Sequence, residues 1–357
     1  LACEIFRHYP DALEQAAALD EKWGSNPDLK AMPMYGVVFS FKDAFDTKDM
    51  RSTGGGDANY DIDFPARDHL LVDQLRKKGA IIFAKAVMTE YNGRAGDPGG
   101  VNHTKKIFPS LLGYQRSTWG GTPVNPYDTT RSASLGSSSG SGVSVSANLV
   151  MASLGEETRM STRGPANHNA VALILPHKAL LGFDGGAIGA DIYCDRTGIL
   201  CRTLDDCSKV LDALKDTEQG YYDPRDPYTT VPRSSVLASY NQHIARHVGA
   251  GFLKGVRLGV IRESMITGGS KAAEPITKAA AQEIDNVLGE YLQATLVESS
   301  DPLWQADTKH EKMQVDFRIA LAKLVPIFMP DILFRLHPDG QPVFPEFAQH
   351  IQTTEFA

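Results

Sequence analysis

Gly136-Ser137-Ser138-Ser139-Gly140-Ser141-Gly142 is an unbroken run of glycine and serine set between structured stretches of the chain. Such residues bring no apolar area and resist ordering, so the run reads as neither a core strand nor a core helix. Yet Val143 to Leu154 follows directly and is apolar enough to demand burial, which disfavours a solvated linker. Small side chains and bare amides suit a place where backbone must approach a substrate. A further serine, Ser161, lies downstream. Upstream, Val37 to Phe41 is a short apolar run ending in Lys42-Asp43, read as a buried strand that delivers a lysine.

Working outward, Asp68 is placed to cap a helix carrying Leu70, Leu71 and Leu75. Gly79 ends that helix, and Ala80 to Val87 reads as a strand. Thr203 with Asp206 resembles a capping box ahead of Val210, Leu211 and Leu214 at helical spacing. Val256 to Ile261 and Ala294 to Val297 read as strands. Between them Ile276, Ala280, Ile284, Val287 and Leu288 mark one face of a long helix. Helices alternating with short apolar strands give an α/β fold around a parallel or mixed sheet. Two loops, from Asn92 to Thr118 and from Tyr221 to Arg233, are long enough to border a binding site.

The chain has 357 residues, 42% hydrophobic and 22% charged, with a net charge of −7 and no long basic run. This is a globular composition that argues against a nucleic-acid partner. Its 4 cysteines build neither a disulfide scaffold nor a zinc spacing, which favours a reducing, cytoplasmic setting. Ile319 to Phe334 holds Lys323, Asp331 and two prolines, so it is no membrane span. No signal peptide is visible, and both ends are expected to be trimmed.

A serine needs a base. Gly136-x-Ser138-x-Gly140 satisfies the nucleophile-elbow pattern literally, with His168 or His177 as base, but a turn (Asn125 to Asp128) stands where a strand is required. A phosphate cradle lacks its Gly-Lys-Ser/Thr ending, and no metal-ligand spacing occurs.

A lysine base is the remaining reading, and here the chain resembles the amidase signature family. The resemblance runs through Phe41-Lys42-Asp43, Ser52-Thr53-Gly54-Gly55, Asn125-Pro126-Tyr127-Asp128 and the Gly/Ser run. It continues in Leu154-Gly155-Glu156-Glu157-Thr158-Arg159-Met160-Ser161-Thr162-Arg163-Gly164-Pro165-Ala166, similar to the family's Gly-Thr-Asp-Thr-Gly-Gly-Ser-Ile-Arg-x-Pro segment. It is dense from about Tyr35 to Leu214.

The resemblance implies α/β/α layers with a large mixed central sheet, one domain over residues 1–357 and a catalytic core over about 35–215. It implies hydrolysis of a carboxamide through an acyl-enzyme. Ser161 is then the nucleophile, Ser138 the bridging serine after a cis Ser137–Ser138 bond, and Lys42 the base. Thr158, Arg159, Met160 and Ser139 fall to the oxyanion and substrate pocket, with Asp43 and Arg163 supporting them. No cofactor is implied. The partner is a small amide, and a homodimer is left open. Arg159-Met160 stands where the family has Gly-Gly, Ser137 where it has glycine, and Glu157 where it has aspartate. The rivals are one subunit of a glutamine-dependent amidotransferase, the Ser-His hydrolase, and a weak or non-catalytic relative that binds a small ligand.

Overall fold

The structure is a computed structural model that describes residues 9–56, 64–89, 92, 117, 120–130, 136–158, 160–182, 195–215, 222, 229–260 and 274–298. These fall into two compact units, one up to Ile244 and one from Ala245.

The first unit is built on a sheet of five strands in the order β2-β1-β3-β5-β4. They are β1 (Val38–Lys42), β2 (Ile81–Ala86), β3 (Ala152–Glu157), β4 (Ala172–Ile174) and β5 (Arg196–Cys201). β1 runs parallel to β2 and β3, whereas β5 is antiparallel to both β3 and β4, so the sheet is mixed. With neighbours on both sides, β1 is buried almost end to end, as parallel central strands are.

Alternation along β1 assigns its side chains to two layers. Phe39 and Phe41, both fully buried, join Phe45, Leu71, Leu75, Leu154, Ile199, Leu211 and Leu214 in the main core. That core lies under helices α2 (Leu70–Lys77) and α5 (Leu204–Leu214). Val38 packs instead with Val145, Val150, Ala166 and Leu200, under α3 (Ser139–Ser146) and α4 (Arg163–His168). Ser40, on the Val38 side, hydrogen-bonds Ser144 and Ser153. Lys42 therefore emerges toward α3 and α4. A helix α1 (Ala12–Trp23), closed by a reciprocal Asp11–Glu14 capping box, precedes the sheet. Among the described residues no helix is long and apolar enough to cross a membrane.

The Gly/Ser run departs from the expectation. Ser139 to Gly142 form the first turn of α3 and are fully buried. The reason is room rather than apolar area. A Cβ at Gly140 would lie 2.4 Å from the backbone nitrogen of Val87, and one at Gly142 would lie 2.9 Å from the carbonyl of Pro165. Small residues let the helix nest against β2 and α4. Not all of the apolar stretch after it is buried: Leu149 and Met151 are exposed.

The cap of α2 also differs. His69 is the N-cap, its Nδ1 accepting from the Leu71 amide, while Asp68 accepts from the Lys48 amide and pairs with Arg76. At α5, Thr203 caps through the Asp206 amide as expected. Gly79, at φ +86°, supplies the left-handed turn between α2 and β2.

The second unit contains parallel strands β6 (Arg257–Val260) and β7 (Thr295–Glu298), joined through helix α6 (Glu274–Glu283) and wider turns over Ile284–Tyr291. Both strands fall where the sequence places them.

Gly140→Ala tests the nesting of α3. The added methyl meets main-chain atoms that cannot step aside, so stability is expected to fall by about 1–3 kcal/mol, read from the urea midpoint at unchanged slope.

Candidate active site

Lys42 ends β1, and its side chain is fully buried. Its Nζ donates to Ser137 Oγ at 2.7 Å, to Asn92 Oδ1 at 2.7 Å, to Glu156 Oε2 at 2.5 Å and to the Glu156 carbonyl at 3.3 Å. Burial pushes the Lys42 amine below its ordinary value, and the Glu156 carboxylate opposes that push. Asn92 ties the group together: its Oδ1 also accepts from Ser137 Oγ at 2.6 Å, and its Nδ2 donates to Glu156 Oε2 at 3.1 Å.

The serine that meets Lys42 is Ser137, which corrects the placement of Ser138 in that role. The one cis peptide bond among the described residues joins Gly136 to Ser137, one residue earlier than the sequence reading puts it. The alternation of the turn explains the swap. Ser137 points at Lys42, while Ser138 turns away to Glu156 on β3, donating to its carbonyl at 3.0 Å and accepting from its amide at 3.3 Å. The Ser138 amide donates to the Ser161 carbonyl at 3.0 Å. Ser138 is thus a strut between β3 and the Ser161 turn. The Ser138 hydroxyl is committed to main chain and is fully buried, whereas His168 and His177, the two histidines read as its base, are both exposed, so among the described residues neither is set to serve the Ser138 elbow.

Ser161 is half-buried in the turn between β3 and α4. Glu157 holds that turn. Its carboxylate accepts from the Thr162 amide (3.0 Å), Thr162 Oγ1 (2.8 Å), the Arg163 amide (2.9 Å) and Arg163 Nε (2.6 Å). Burial pushes the Glu157 carboxyl up, but these bonds outweigh it and hold the group below its ordinary value. Two glycines open the floor beneath. Gly155 and Gly198 pair across β3 and β5, and a Cβ on either would lie within 2.9 Å of Thr162 or Ser138 side-chain atoms.

Of the remaining sequence-picked residues, Asp43 accepts from the Thr53 amide (3.2 Å), Thr53 Oγ1 and the Gly55 amide (3.4 Å), so it shapes the Ser52 to Gly55 loop rather than the Lys42 cluster. Lys85 of β2 lies 3.3 Å from Asp43. Thr158 Oγ1 bonds Asp195 and Glu156, and Met160 is exposed. Ser139 is buried, its hydroxyl without a hydrogen-bond partner among the described residues. Arg159 lies outside the described residues. The Asn125 to Asp128 turn forms as read, with Asn125 Nδ2 donating to the His168 carbonyl behind α4.

Asn92 and Glu156 escaped the sequence reading. Asn92 belongs to a loop singled out only for its length. Glu156 stands where the quoted family segment carries threonine, and that departure was the signal for it. Among the described residues no cluster of His, Cys, Asp and Glu is placed to hold a metal.

The family profile described as Amidase matches residues 1–303. The chain belongs to the amidase family. A protein of Arabidopsis thaliana named as a probable amidase is 34% identical over 253 residues, which is 71% of this chain and 45% of that protein. A glutamyl-tRNA(Gln) amidotransferase subunit from Cupriavidus metallidurans is 29% identical over 300 residues, 81% of this chain and 52% of that protein. The chain thus spans about half the length of these curated relatives. Among solved structures, the native peptide amidase from Stenotrophomonas maltophilia superposes with TM-score 0.67 at 26% identity, over 97% of this chain and 63% of that one. The amidase fold, with its mixed sheet between helical layers, is therefore the fold of this chain.

Glu157→Gln removes the charge that the Ser161 turn leans on, at an expected cost of about 1.5–3 kcal/mol. Because the folded value is depressed, the wild-type contribution is whole above the ordinary glutamate value of 4.5 and is lost as pH falls through the folded value. Urea denaturation across the acid range should therefore show a pH-dependent loss in wild type that flattens in Glu157→Gln.

Proposed function

We propose that this chain carries the hydrolytic site of an amidase that cleaves the C–N bond of a carboxamide through an acyl-enzyme on Ser161. One observation supports this reading above the rest: Lys42 Nζ lies 2.7 Å from Ser137 Oγ in a fully buried setting. In water an amine of pKa about 10.4 is protonated and useless as a base, whereas burial favours the neutral form.

Neutral Lys42 takes the proton of Ser137, and Ser137 takes that of Ser161 as its Oγ attacks the carbonyl carbon. The resulting ammonium returns a proton through Ser137 to the departing amine. Water then attacks the acyl carbon of Ser161 along the same path, releasing acid and free serine. Backbone amides from Thr158 to Ser161 are the donors assigned to the developing oxyanion, each typically worth about 2.7–4 kcal/mol. Ser138 and Glu157 hold the two serine turns in register.

A second reading, glutamine hydrolysis feeding a tRNA amidotransferase, draws support from the Cupriavidus metallidurans relative. It calls for partner chains. Glutaminase activity that emerges only when such partners are added would favour it over a free-standing amidase.

Fluorophosphonate labelling followed by peptide mapping tests the nucleophile, and hydrolysis of a panel of acyl amides tests the reaction. Ser161→Ala and Lys42→Ala are each expected to abolish both. Ser137→Ala is expected to slow labelling by about 10²–10⁴-fold, with Ser138→Ala much less affected. An adduct on Ser138, or full activity in Lys42→Ala, would overturn the assignment.

A further inference from the structure

A lysine serving as a base is ordinarily freed of its proton by isolation from charge, yet Lys42 is not isolated. Glu156 Oε2 lies 2.5 Å from its Nζ, with both side chains at 0% exposure. Other charged groups act on the amine from farther off: Glu157 on β3, its carboxylate bonded to Thr162 and Arg163, and Asp195 just before β5, each of which favours the charged form. Asp43, next along the chain, lies beside Lys85 of β2. Glu157 and Asp43 have cations of their own, Arg163 and Lys85, whereas Glu156 pairs with Lys42 itself. Asn92 bridges both members, donating to Glu156 and accepting from Lys42, and it also accepts from Ser137. The carboxylate is thus wired to the same asparagine as the serine it would influence.

We propose that Glu156 is a positioning residue that keeps a proton on Lys42 and so sets the pH at which the Ser161–Ser137–Lys42 relay switches on, holding that point toward alkaline. The inference rests on the Ser-Ser-Lys reading above. Two opposite charges in contact away from water stabilise each other strongly. While the pair keeps its proton, Lys42 is an ammonium donating to Ser137 and cannot accept from it. When that proton leaves to solvent, the neutral amine accepts the Ser137 proton, Ser137 that of Ser161, and the attack proceeds. Removing the negative charge makes the neutral amine available at lower pH.

The test is the rate of fluorophosphonate capture by Ser161 across a pH series on the full chain. Glu156→Gln keeps the size and an acceptor for Lys42 but drops the charge. Its half-maximal pH is expected to move about one to three pH units toward acid, and Glu156→Asp is expected to stay near wild type. An unmoved midpoint in Glu156→Gln, or loss of capture at every pH in folded protein, overturns the proposal. Should Glu156→Gln not fold, the wild type itself decides through the Nζ resonance of ¹⁵N-labelled lysine, assigned by its disappearance in Lys42→Arg. An ammonium that persists near neutrality and titrates at the capture midpoint supports the proposal. An amine already neutral well below that midpoint overturns it. Capture that survives in Ser161→Ala or runs undiminished in Lys42→Ala would instead sink the Ser-Ser-Lys reading, a result separable from the others.

Discussion

The candidate site of the first unit converges on a single amine buried out of reach of bulk solvent. Lys42 is inside because β1 is an interior strand, paired on both edges and covered on both faces, so its last side chain leaves the sheet within the protein. An unpartnered charge there would be intolerable, and the fold answers with a carboxylate, an amide and a hydroxyl around the Nζ. Those partners come from β3, from the loop holding Asn92 and from the turn ahead of α3. Satisfying one buried amine therefore fixes three separate stretches of chain relative to one another.

The same logic runs on the other side of the Gly/Ser turn. Ser138 spends its hydroxyl on the backbone of β3 and its amide on the carbonyl of Ser161. Glu157 gathers the amides that open α4. Neither residue reaches Lys42 in this arrangement, yet between them they decide where Ser161 stands. The site is a set of short turns braced by main-chain hydrogen bonds, and its precision comes from strands β1 and β3 that cannot shift without breaking the sheet.

Much of this was legible from residue order. β1, β2, α5, β6 and β7 fall where apolar runs and caps place them, because each element announces itself through local periodicity. Lys42 and Ser161 stood out for a different reason, the resemblance of the segments around them to a known family. What failed was resolution at the scale of one residue. In Ser137-Ser138-Ser139 neighbouring hydroxyls are chemically alike, and only backbone conformation decides which points at the lysine. Asp68 lost the cap of α2 to His69 for a comparable reason: an ion pair with Arg76 claimed its carboxylate. Asn92 matters through tertiary neighbours with no local signature, and Glu156 showed in the order of residues only as a departure from the family segment. The Gly/Ser run itself misled, since composition counts apolar area and takes no account of helices that need thinness.

The paired glycines Gly155 and Gly198 carry a consequence for anyone wishing to harden this protein. Exchanging glycine for alanine commonly raises stability by restricting the unfolded chain, and glycines inside strands look like inviting targets. Here the vacancy they leave is already tenanted by Thr162 and Ser138. Thermal engineering must go elsewhere, for flexibility surrendered by the coil at those two sites is the very space on which the working turns rest.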